Sequence, residues 1–412
     1  MPLLVPCDEL QPGMKLYEPL LSNGQVMLQG GKALTSADIA VISRRYPGLS
    51  LRIGDPVLDD VIEFEDDALE RDVASQTQQK ISKSMSEVGD RFAKRASLGE
   101  ADFDALHSAV EELMAYLKSN TVSAALINSC LDSNSYLCAH TGNVFYLSML
   151  LGSTVLDYVV AERNRQTRAI ALQANFATDL TPLGLGAMAM DLGMIPLQHL
   201  FKSDKPLTDA DREAIREHPL AGAEMLPQTF SAVANMIVRA HHENYAGTGY
   251  PMRMPGNKVH VFTRIVRIAD AYDAATSDRV HKGAKSPARV LWEMSAGPYK
   301  RFYDPGLMKA FARLIQPFPI GSKLRLEDGR YAAVVKYNRH SPFQPTVVIA
   351  FDTHNKPIPR EELKEPVDLS RQIDLRIKSF HGEDLSFIYT AGPEQDAPAR
   401  EKFTTLMHAA YP

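Results

Sequence analysis

The chain has 412 residues, of which 45% are hydrophobic and 23% are charged, and its formal net charge is −5. This length allows two to four domains of ordinary globular composition. The slightly acidic balance excludes a protein whose whole surface attracts nucleic acid or an anionic membrane, so any phosphate site must be local. The three cysteines have no metal-binding spacing and form no even framework, which favours a reducing compartment.

The start of the chain does not have the pattern of a secretory leader. It carries acids and prolines where a signal peptide has a basic start and an apolar run. The best membrane candidate, residues 144–160, is just under spanning length and contains Asp157, so a buried helix is the better interpretation. We therefore expect a cytoplasmic protein without membrane insertion.

Residues 1–60 alternate apolar and polar positions between Pro-Gly, Asn-Gly and Gly-Gly turn signals. This pattern predicts a small β-rich N-terminal module with one short helix after the cap Thr35-Ser36. The module offers no catalytic cluster, so regulation or packing is its expected role. Residues 61–102 are acidic and then mixed in charge, with helical periodicity, and we predict a helical linker there.

Residues 103–316 have a helical pattern almost throughout, and Thr208 with Asp211 three positions later is typical of a helix start. A Pro-Phe-Pro segment then marks a boundary. Residues 317–412 contain short strand-like runs joined by turns, which predict a small β-rich C-terminal module. The predicted fold class is mainly α, with an all-helical core between two small β-rich modules, and α+β overall.

Six histidines and aspartates of the core form the constellation that points to chemistry. They lie in segments predicted to be helical or at helix ends: His140, Asp191, His218, His241, His242 and Asp270. Their intervals allow separate helices to deliver one or two ligands each to a shared centre. Imidazole and carboxylate without thiolate form a ligand set for Fe, Mn, Zn or Ni. A carboxylate such as Asp191 can bridge two cations, and paired cations hydrolyse phosphodiesters.

Taken singly, each of these residues is better explained as a satisfied structural residue than as a ligand. The adjacent pair His241-His242 is the stronger signal, because consecutive helical positions point about 100° apart and rarely bury together. Even this pair leaves the structural and the metal-binding interpretations equally open.

Five ordered motifs, covering about half of the chain, resemble those of the HD-GYP family. Residues 241–251 have the sequence HHENYAGTGYP, similar to the family signature HHExxDGxGYP. Residues 264–279, with the sequence RIVRIADAYDAATSDR, resemble RIxxxADxxDAxTSxR. Upstream, residues 218–222 resemble the HPxxG element and residues 140–144 the HSxNV helix. The fifth motif is the His-Asp motif, which is altered here.

The resemblance implies a bacterial cyclic di-GMP phosphodiesterase, a hydrolase with a bi- or trinuclear metal centre, usually of iron or manganese. For this chain, whose His-Asp motif is altered, we expect one or two divalent ions. The resemblance distributes the metal ligands over two ions: His140 and Asp270 on the first, Asp191 as the bridge, and His218, His241 and His242 on the second. It also implies catalytic roles for Asp191 and Tyr250. Tyr250 would contact the nucleotide, while Arg279 and Lys282 would bind its phosphates, as forked and point-charge cations can.

Without the motif, Arg279 and Lys282 are equally well explained as a solvated surface pair. The implied partner is cyclic di-GMP and not a nucleic acid polymer, and a homodimer or a signalling-protein partner stays open. The glycines and the proline of the Gly-Tyr-Pro run are turn residues under any function.

The chain departs from the family where HDxGK is expected, because residues 190–194 have the sequence MDLGM. A thioether is a poor ligand for Fe²⁺ or Mn²⁺, so we do not expect Met190 to replace the imidazole. Met194 removes a cation from the side where a substrate phosphate would lie. Ala246 replaces the acid of the Gly-Tyr-Pro run, and Tyr136 stands where trinuclear members carry a glutamate, which argues against a third metal.

Three functions are compatible with this sequence. The first is an impaired cyclic di-GMP phosphodiesterase, the second a catalytically inactive signalling protein that binds cyclic di-GMP, and the third a structural or protein-interaction module. The retained tyrosine and basic residues favour the first two, whereas the two methionines favour the last two. A rescue of the lost imidazole by His199, one to two helical turns beyond Asp191, is a further hypothesis.

Overall fold

A computed structural model describes most of the N-terminal, central and C-terminal parts of the chain. The described residues are 2–22, 25–46, 49–55, 58, 104, 107–108, 110–111, 136–166, 178–201, 207–277, 284–372 and 374–389. The predicted helical linker, residues 61–102, lies outside them. The chain divides into two compact units, one from Met1–Asp67, Pro287–Arg289 and Ile315–Gly392, the other from Ala68–Ser286, Val290–Leu314 and Pro393–Pro412.

The N-terminal part of the first unit consists of short strands and one described helix. These elements are β1 (Leu3–Pro6), β2 (Leu20–Ser22), β3 (Gln25–Leu28), α1 (Ser36–Arg45) and β4 (Ser50–Ile53). Strand β1 pairs antiparallel with β4, and β2 with β3. The side chain of Thr35 accepts a hydrogen bond from the Asp38 N–H at 3.2 Å, and the Asp38 carboxylate accepts one from the Thr35 N–H at 2.9 Å. This capping box confirms the predicted helix start.

The C-terminal part of the same unit is an antiparallel sheet with the order β10-β9-β5-β6-β7-β8. Its strands are β5 (Lys323–Leu326), β6 (Tyr331–Lys336), β7 (Thr346–Phe351), β8 (Val367–Asp368), β9 (Ile377–Phe380) and β10 (Glu383–Asp384). Alternate residues of β5, Leu324 and Leu326, are buried together with Val334 and Val347 of the next strands. The predicted strand-like runs of this region are therefore confirmed.

The second unit is helical. The helices described after α1 are α2 (Tyr136–Thr154), α3 (Leu156–Gln166), α4 (Thr181–Ala189), α5 (Gln198–Phe201), α6 (Asp209–Glu224), α7 (Ala232–Ala240), α8 (Val261–Thr276), α9 (Pro287–Ser295) and α10 (Pro305–Leu314). Helix α2 packs against α4 and α8, and α7 packs against α4 and α6. Helix α6 begins at the predicted Thr208–Asp211 capping box. Helical core and small antiparallel sheets together confirm the predicted α+β class.

The membrane candidate of the sequence, residues 144–160, is divided between two helices. Among the described residues, no single helix has both the length and the apolar composition needed to cross a membrane. Helices α2 and α3 reach that length only as a pair, which bends by 86° at the break. In α2, Val144, Phe145, Leu147 and Leu151 are buried inside the unit.

Candidate metal centre

The structure brings all six predicted metal-ligating residues into one buried cluster. Each is at most 2% exposed, and they come from three helices and from the turns after two others: His140 on α2, Asp191 after α4, His218 on α6, His241 and His242 after α7, and Asp270 on α8. Five helical segments of the chain therefore supply the whole cluster.

Asp191 lies between histidines from three different helices. Its Oδ1 is 3.3 Å from His218 Nε2 and 3.7 Å from His241 Nε2, while its Oδ2 is 3.7 Å from His140 Nε2. One carboxylate thus faces two groups of imidazoles with its two oxygens. This is the position that a bridging ligand needs.

Backbone carbonyls determine which ring nitrogen of His218 and His241 carries the hydrogen. His218 Nδ1 lies 2.5 Å from the Ile215 carbonyl and His241 Nδ1 lies 2.8 Å from the Val238 carbonyl. Because a carbonyl oxygen only accepts, each Nδ1 carries the hydrogen and each neutral ring has its lone pair on Nε2. The two Nε2 atoms lie 3.1 Å apart, beside Asp191 Oδ1. Two lone pairs and a carboxylate oxygen at one point fit a bound cation.

The electrostatics keep these groups in their metal-binding forms. Burial and the neighbouring His218 lower the pKa of His241 to about 4. Burial and His241 hold the pKa of His242 well below its ordinary value. Burial alone would raise the pKa of Asp191, but His218, His140 and His241 lower it. Near neutral pH His241 and His242 are therefore neutral imidazoles beside the ionised carboxylate of Asp191.

Asp270 contacts the other side of the cluster. Its Oδ1 is 3.2 Å from His140 Nε2, and its Oδ2 is 3.5 Å from His242 Nδ1 and 3.0 Å from the guanidinium of Arg267. Burial alone would raise its pKa, but His140, His242 and Arg267 hold that pKa well below its ordinary value. Asp270 is therefore an ionised carboxylate that already has a buried cation beside it.

Two residues to which the sequence assigned no role orient His140. Asp273 accepts a hydrogen bond from His140 Nδ1 at 2.7 Å, and its second oxygen accepts one from the Asn143 amide at 2.8 Å. A carboxylate on the outer nitrogen of a histidine fixes the ring and leaves its inner nitrogen for a metal. The available signal was the spacing, since Asp273 follows Asp270, and Asn143 follows His140, by three helical positions.

A close backbone approach fixes Asp191 beside His218. A Cβ added at Gly193 would lie 2.1 Å from the His218 carbonyl oxygen and 2.8 Å from the Gly222 nitrogen. The 3₁₀ segment Leu192–Leu197 and helix α6 can therefore meet here only through glycine. The two motif glycines are thus packing residues that set the distance between two candidate ligands.

The Gly-Tyr-Pro turn forms one wall of the cluster. The ring of Tyr250 stacks on His242 with centroids 4.7 Å apart. The turn is held by Glu243, whose two carboxylate oxygens accept hydrogen bonds from the N–H groups of Met252 at 2.6 Å and Met254 at 3.0 Å. Burial raises the pKa of Tyr250, so its hydroxyl keeps its proton.

Both methionines of the altered motif are buried, and the structure does not support a replacement of the missing imidazole by His199. Met190 is fully buried at the end of α4. Met194 packs in an apolar cluster with Leu137 and Ile215. His199 is exposed, with Nδ1 3.2 Å from the Pro196 carbonyl, so it does not supply the missing imidazole. The predicted phosphate ligands Arg279 and Lys282 lie outside the described residues and stay predictions.

Comparison with known proteins finds a recognised domain in the part of the chain that holds five of the six cluster residues, all except His140. Residues 159–307 match the family described as HD domain. The chain is 33% identical over 193 residues to a cyclic di-GMP phosphodiesterase of Pseudomonas aeruginosa, a match that covers 46% of this chain and 45% of that protein. It is 34% identical over 164 residues to a cyclic di-GMP phosphodiesterase of Vibrio cholerae, covering 36% of this chain and 33% of the relative.

A third relative has a different named substrate. A 3'3'-cGAMP-specific phosphodiesterase of Vibrio cholerae is 28% identical over 137 residues, covering 32% of this chain and 29% of that protein. In all three comparisons the match spans less than half the length of the relative.

Proposed function

We propose that this chain is a member of the HD-GYP family of HD-domain proteins and that its helical unit is a metal-dependent phosphodiesterase acting on cyclic di-GMP. One observation carries the proposal: the lone pairs of His218 and His241 converge with an oxygen of Asp191 inside a buried cluster. The named activity of the relatives supports the choice of a phosphodiester as substrate. The second cyclic dinucleotide named among them gives the alternative substrate.

The proposed metal ligands are His218, His241 and His242, whose ligand atoms lie within 4.8 Å of one another, together with Asp191. Imidazole and carboxylate suit iron or manganese. A divalent ion bound there supplies Lewis-acid activation of a phosphodiester. The neutral state of His241 and His242 favours this binding, because no proton has to be displaced.

The other residues of the proposed site bind and orient the nucleotide. Tyr250 keeps its proton and can donate a hydrogen bond to the ligand beside the cluster. Arg279 and Lys282 are proposed to bind the phosphates with fork-like and point-charge contacts. Asp191 contacts three histidines of the cluster, and their effect in lowering its pKa keeps it an ionised carboxylate near neutral pH.

We propose that hydrolysis is slower than in members that have the complete motif. Met190 supplies no ligand for a hard cation, and Met194 contributes an apolar contact to the core in place of a lysine charge. The presence of Met190 and Met194 also favours a second candidate function, which is binding of the cyclic dinucleotide without turnover. The two functions share the site and differ only in the chemical step.

The test compares both substrates on one protein. Wild-type protein loaded with Fe²⁺ or Mn²⁺ under anaerobic conditions is assayed for release of linear dinucleotide or mononucleotide from cyclic di-GMP and from 3'3'-cGAMP. We expect slow turnover of cyclic di-GMP, abolished in His241→Ala and retained in the control His199→Ala, whose ring is exposed. Tight binding without product would select the second candidate. Neither binding nor turnover of either dinucleotide would contradict both.

A further inference from the structure

Arg267 places a permanent positive charge inside the metal-binding cluster. It lies on α8 one turn before Asp270, its side chain is 3% exposed, and a guanidinium nitrogen is 3.0 Å from Asp270 Oδ2. Its guanidinium also lies 5.9 Å from the centre of the Tyr303 ring. A guanidinium does not lose its proton in proteins, so this cation is present at every pH at which the protein is folded.

The two carboxylates of the cluster therefore differ in their neighbours. Asp191 faces the imidazoles of His218, His241 and His140, which are weak counter-charges when neutral. Asp270 has the full positive charge of Arg267 on Oδ2. An ionised carboxylate buried at 2% exposure or less needs a compensating cation. Asp270 already has one inside the protein, whereas the ion-pair contacts of Asp191 within the described part of the chain are with the three histidines.

A second metal ion would have to bind close to this guanidinium. The described side chains that could hold it are His140, Asp191 and Asp270, whose facing atoms lie 3.2 and 3.7 Å apart. Any divalent ion on Asp270 would share that carboxylate with Arg267. Repulsion between the two positive charges is strong in a buried site, so Arg267 opposes this binding.

We propose that Arg267 acts as the fixed counter-cation of Asp270 and limits the centre to one divalent ion, held by His218, His241 and His242 with Asp191. This inference rests on the proposed metal centre and specifies how many ions it takes. Arg267 has the role of a positioning and charge-balancing residue, since its guanidinium contacts the ligand Asp270.

The test counts ions on the full chain. Metal-stripped wild type, Arg267→Gln and the charge-conserving control Arg267→Lys are incubated with excess Mn²⁺, freed of unbound ion, and analysed for manganese per chain. Electron paramagnetic resonance then distinguishes an isolated ion from an exchange-coupled pair. We expect one isolated ion in wild type and in Arg267→Lys, and two coupled ions in Arg267→Gln. Circular dichroism verifies that each variant is folded.

Several outcomes would overturn the inference. Two bound ions in wild type would contradict the role of Arg267 and leave the proposed function intact. A folded Arg267→Gln protein that still binds only one ion would have the same consequence. If Arg267→Gln does not fold, the variant Met190→His provides the test. This variant adds an imidazole beside Asp191 and keeps Arg267, so its uptake of a second ion would contradict the inference. Absence of any bound manganese in wild type would instead overturn the proposed metal centre itself.

Discussion

At the scale of single residues, backbone carbonyls determine which ring nitrogen of His218 and of His241 faces the cluster. His218 and His241 both direct Nδ1 to the carbonyl three positions earlier in their own helix. The hydrogen is therefore held on the outer nitrogen before any metal binds, and Nε2 is left for the cluster. A short helix turn thus preorganises a ligand without help from another side chain.

The low pKa values of these histidines predict how the metal-free protein responds to acid. The pKa of His241 is about 4 in the folded chain, against 6.5 as its ordinary value. Between these values the unfolded chain binds more protons, so the free energy of unfolding should fall as the pH is lowered from 6.5 toward 4. The slope should be at most roughly 1.4 kcal/mol per pH unit for each such histidine.

Urea unfolding of metal-stripped protein across this pH range checks the expectation. A His241→Gln variant has no titrating group at that position and should show a shallower slope. An unfolding free energy that stays constant across the range, or rises as the pH falls, would show that His241 is not a buried neutral imidazole.

The residues of the cluster differ in how far the sequence revealed them. Motif spacing predicted the six histidines and aspartates that the structure brings together, because each motif marks a short local segment. Asp273 and Arg267 were not predicted as site residues, since their roles depend on distances between helices and on burial. Arg267 within a helical sequence has the same pattern as an ordinary surface arginine until its neighbours are known.

At the scale of elements, helix α8 carries four buried charged residues at three-residue intervals. They are Arg264, Arg267, Asp270 and Asp273. The two central residues pair with each other, and Asp273 contacts His140 of α2. Positions three apart are neighbours on the helix surface, and over nine residues the row winds about half way round the helix, so it connects the candidate ligand Asp270 to residues of other helices.

Arg264 connects the same helix to α3 and to the segment before α10. It donates to Glu162 at 2.6 Å and to Asp304, all three being buried. Replacing it by alanine leaves the buried Asp304 without its cation and leaves Glu162 paired only with Arg165 at the surface, so we predict that Arg264→Ala lowers the free energy of unfolding by about 3–5 kcal/mol. Urea denaturation measures this difference.

Arg165 provides a matched control, because it pairs with the same Glu162 at 2.6 Å but its side chain is 76% exposed. Exposed ion pairs contribute little, so Arg165→Ala should cost less than about 1 kcal/mol. Equal losses for the two variants would contradict a special role for the buried pair.

The turn that carries Tyr250 depends on one buried acid. Glu243 accepts two backbone hydrogen bonds from the turn, and charge-assisted bonds of this kind contribute about 1.5–3 kcal/mol each. We predict that Glu243→Gln loosens the turn and weakens cyclic di-GMP binding by roughly tenfold, without changing the metal content. Calorimetric titration and metal analysis of the same samples test both parts. The control Glu217→Gln changes an exposed acid of α6 and should leave affinity unaltered.

At the scale of the whole molecule, the N-terminal and C-terminal β-rich parts that the structure describes share one compact unit. The Leu4 N–H donates to the Gly321 carbonyl at 3.0 Å, and Leu3 and Leu58 are buried with Ala333 and Val348 of the C-terminal sheet. The sequence predicted a β-rich module at each end, and local periodicity predicted their strands. Periodicity carries no information on pairing between segments some three hundred residues apart, so the shared unit was not predicted.

Removing and returning the metal tests whether the buried histidine and aspartate cluster is a divalent metal centre that acts on a cyclic dinucleotide. Chelator-treated protein, the same protein reloaded with Fe²⁺ or Mn²⁺, and His241→Ala taken through both steps are incubated with cyclic di-GMP, and bound nucleotide and product are measured. We predict that binding and slow hydrolysis disappear on chelation, return in the wild type on reloading, and do not return in His241→Ala. Binding and turnover that persist without metal, or that reloading restores equally in His241→Ala, would show that the cluster is not this metal centre.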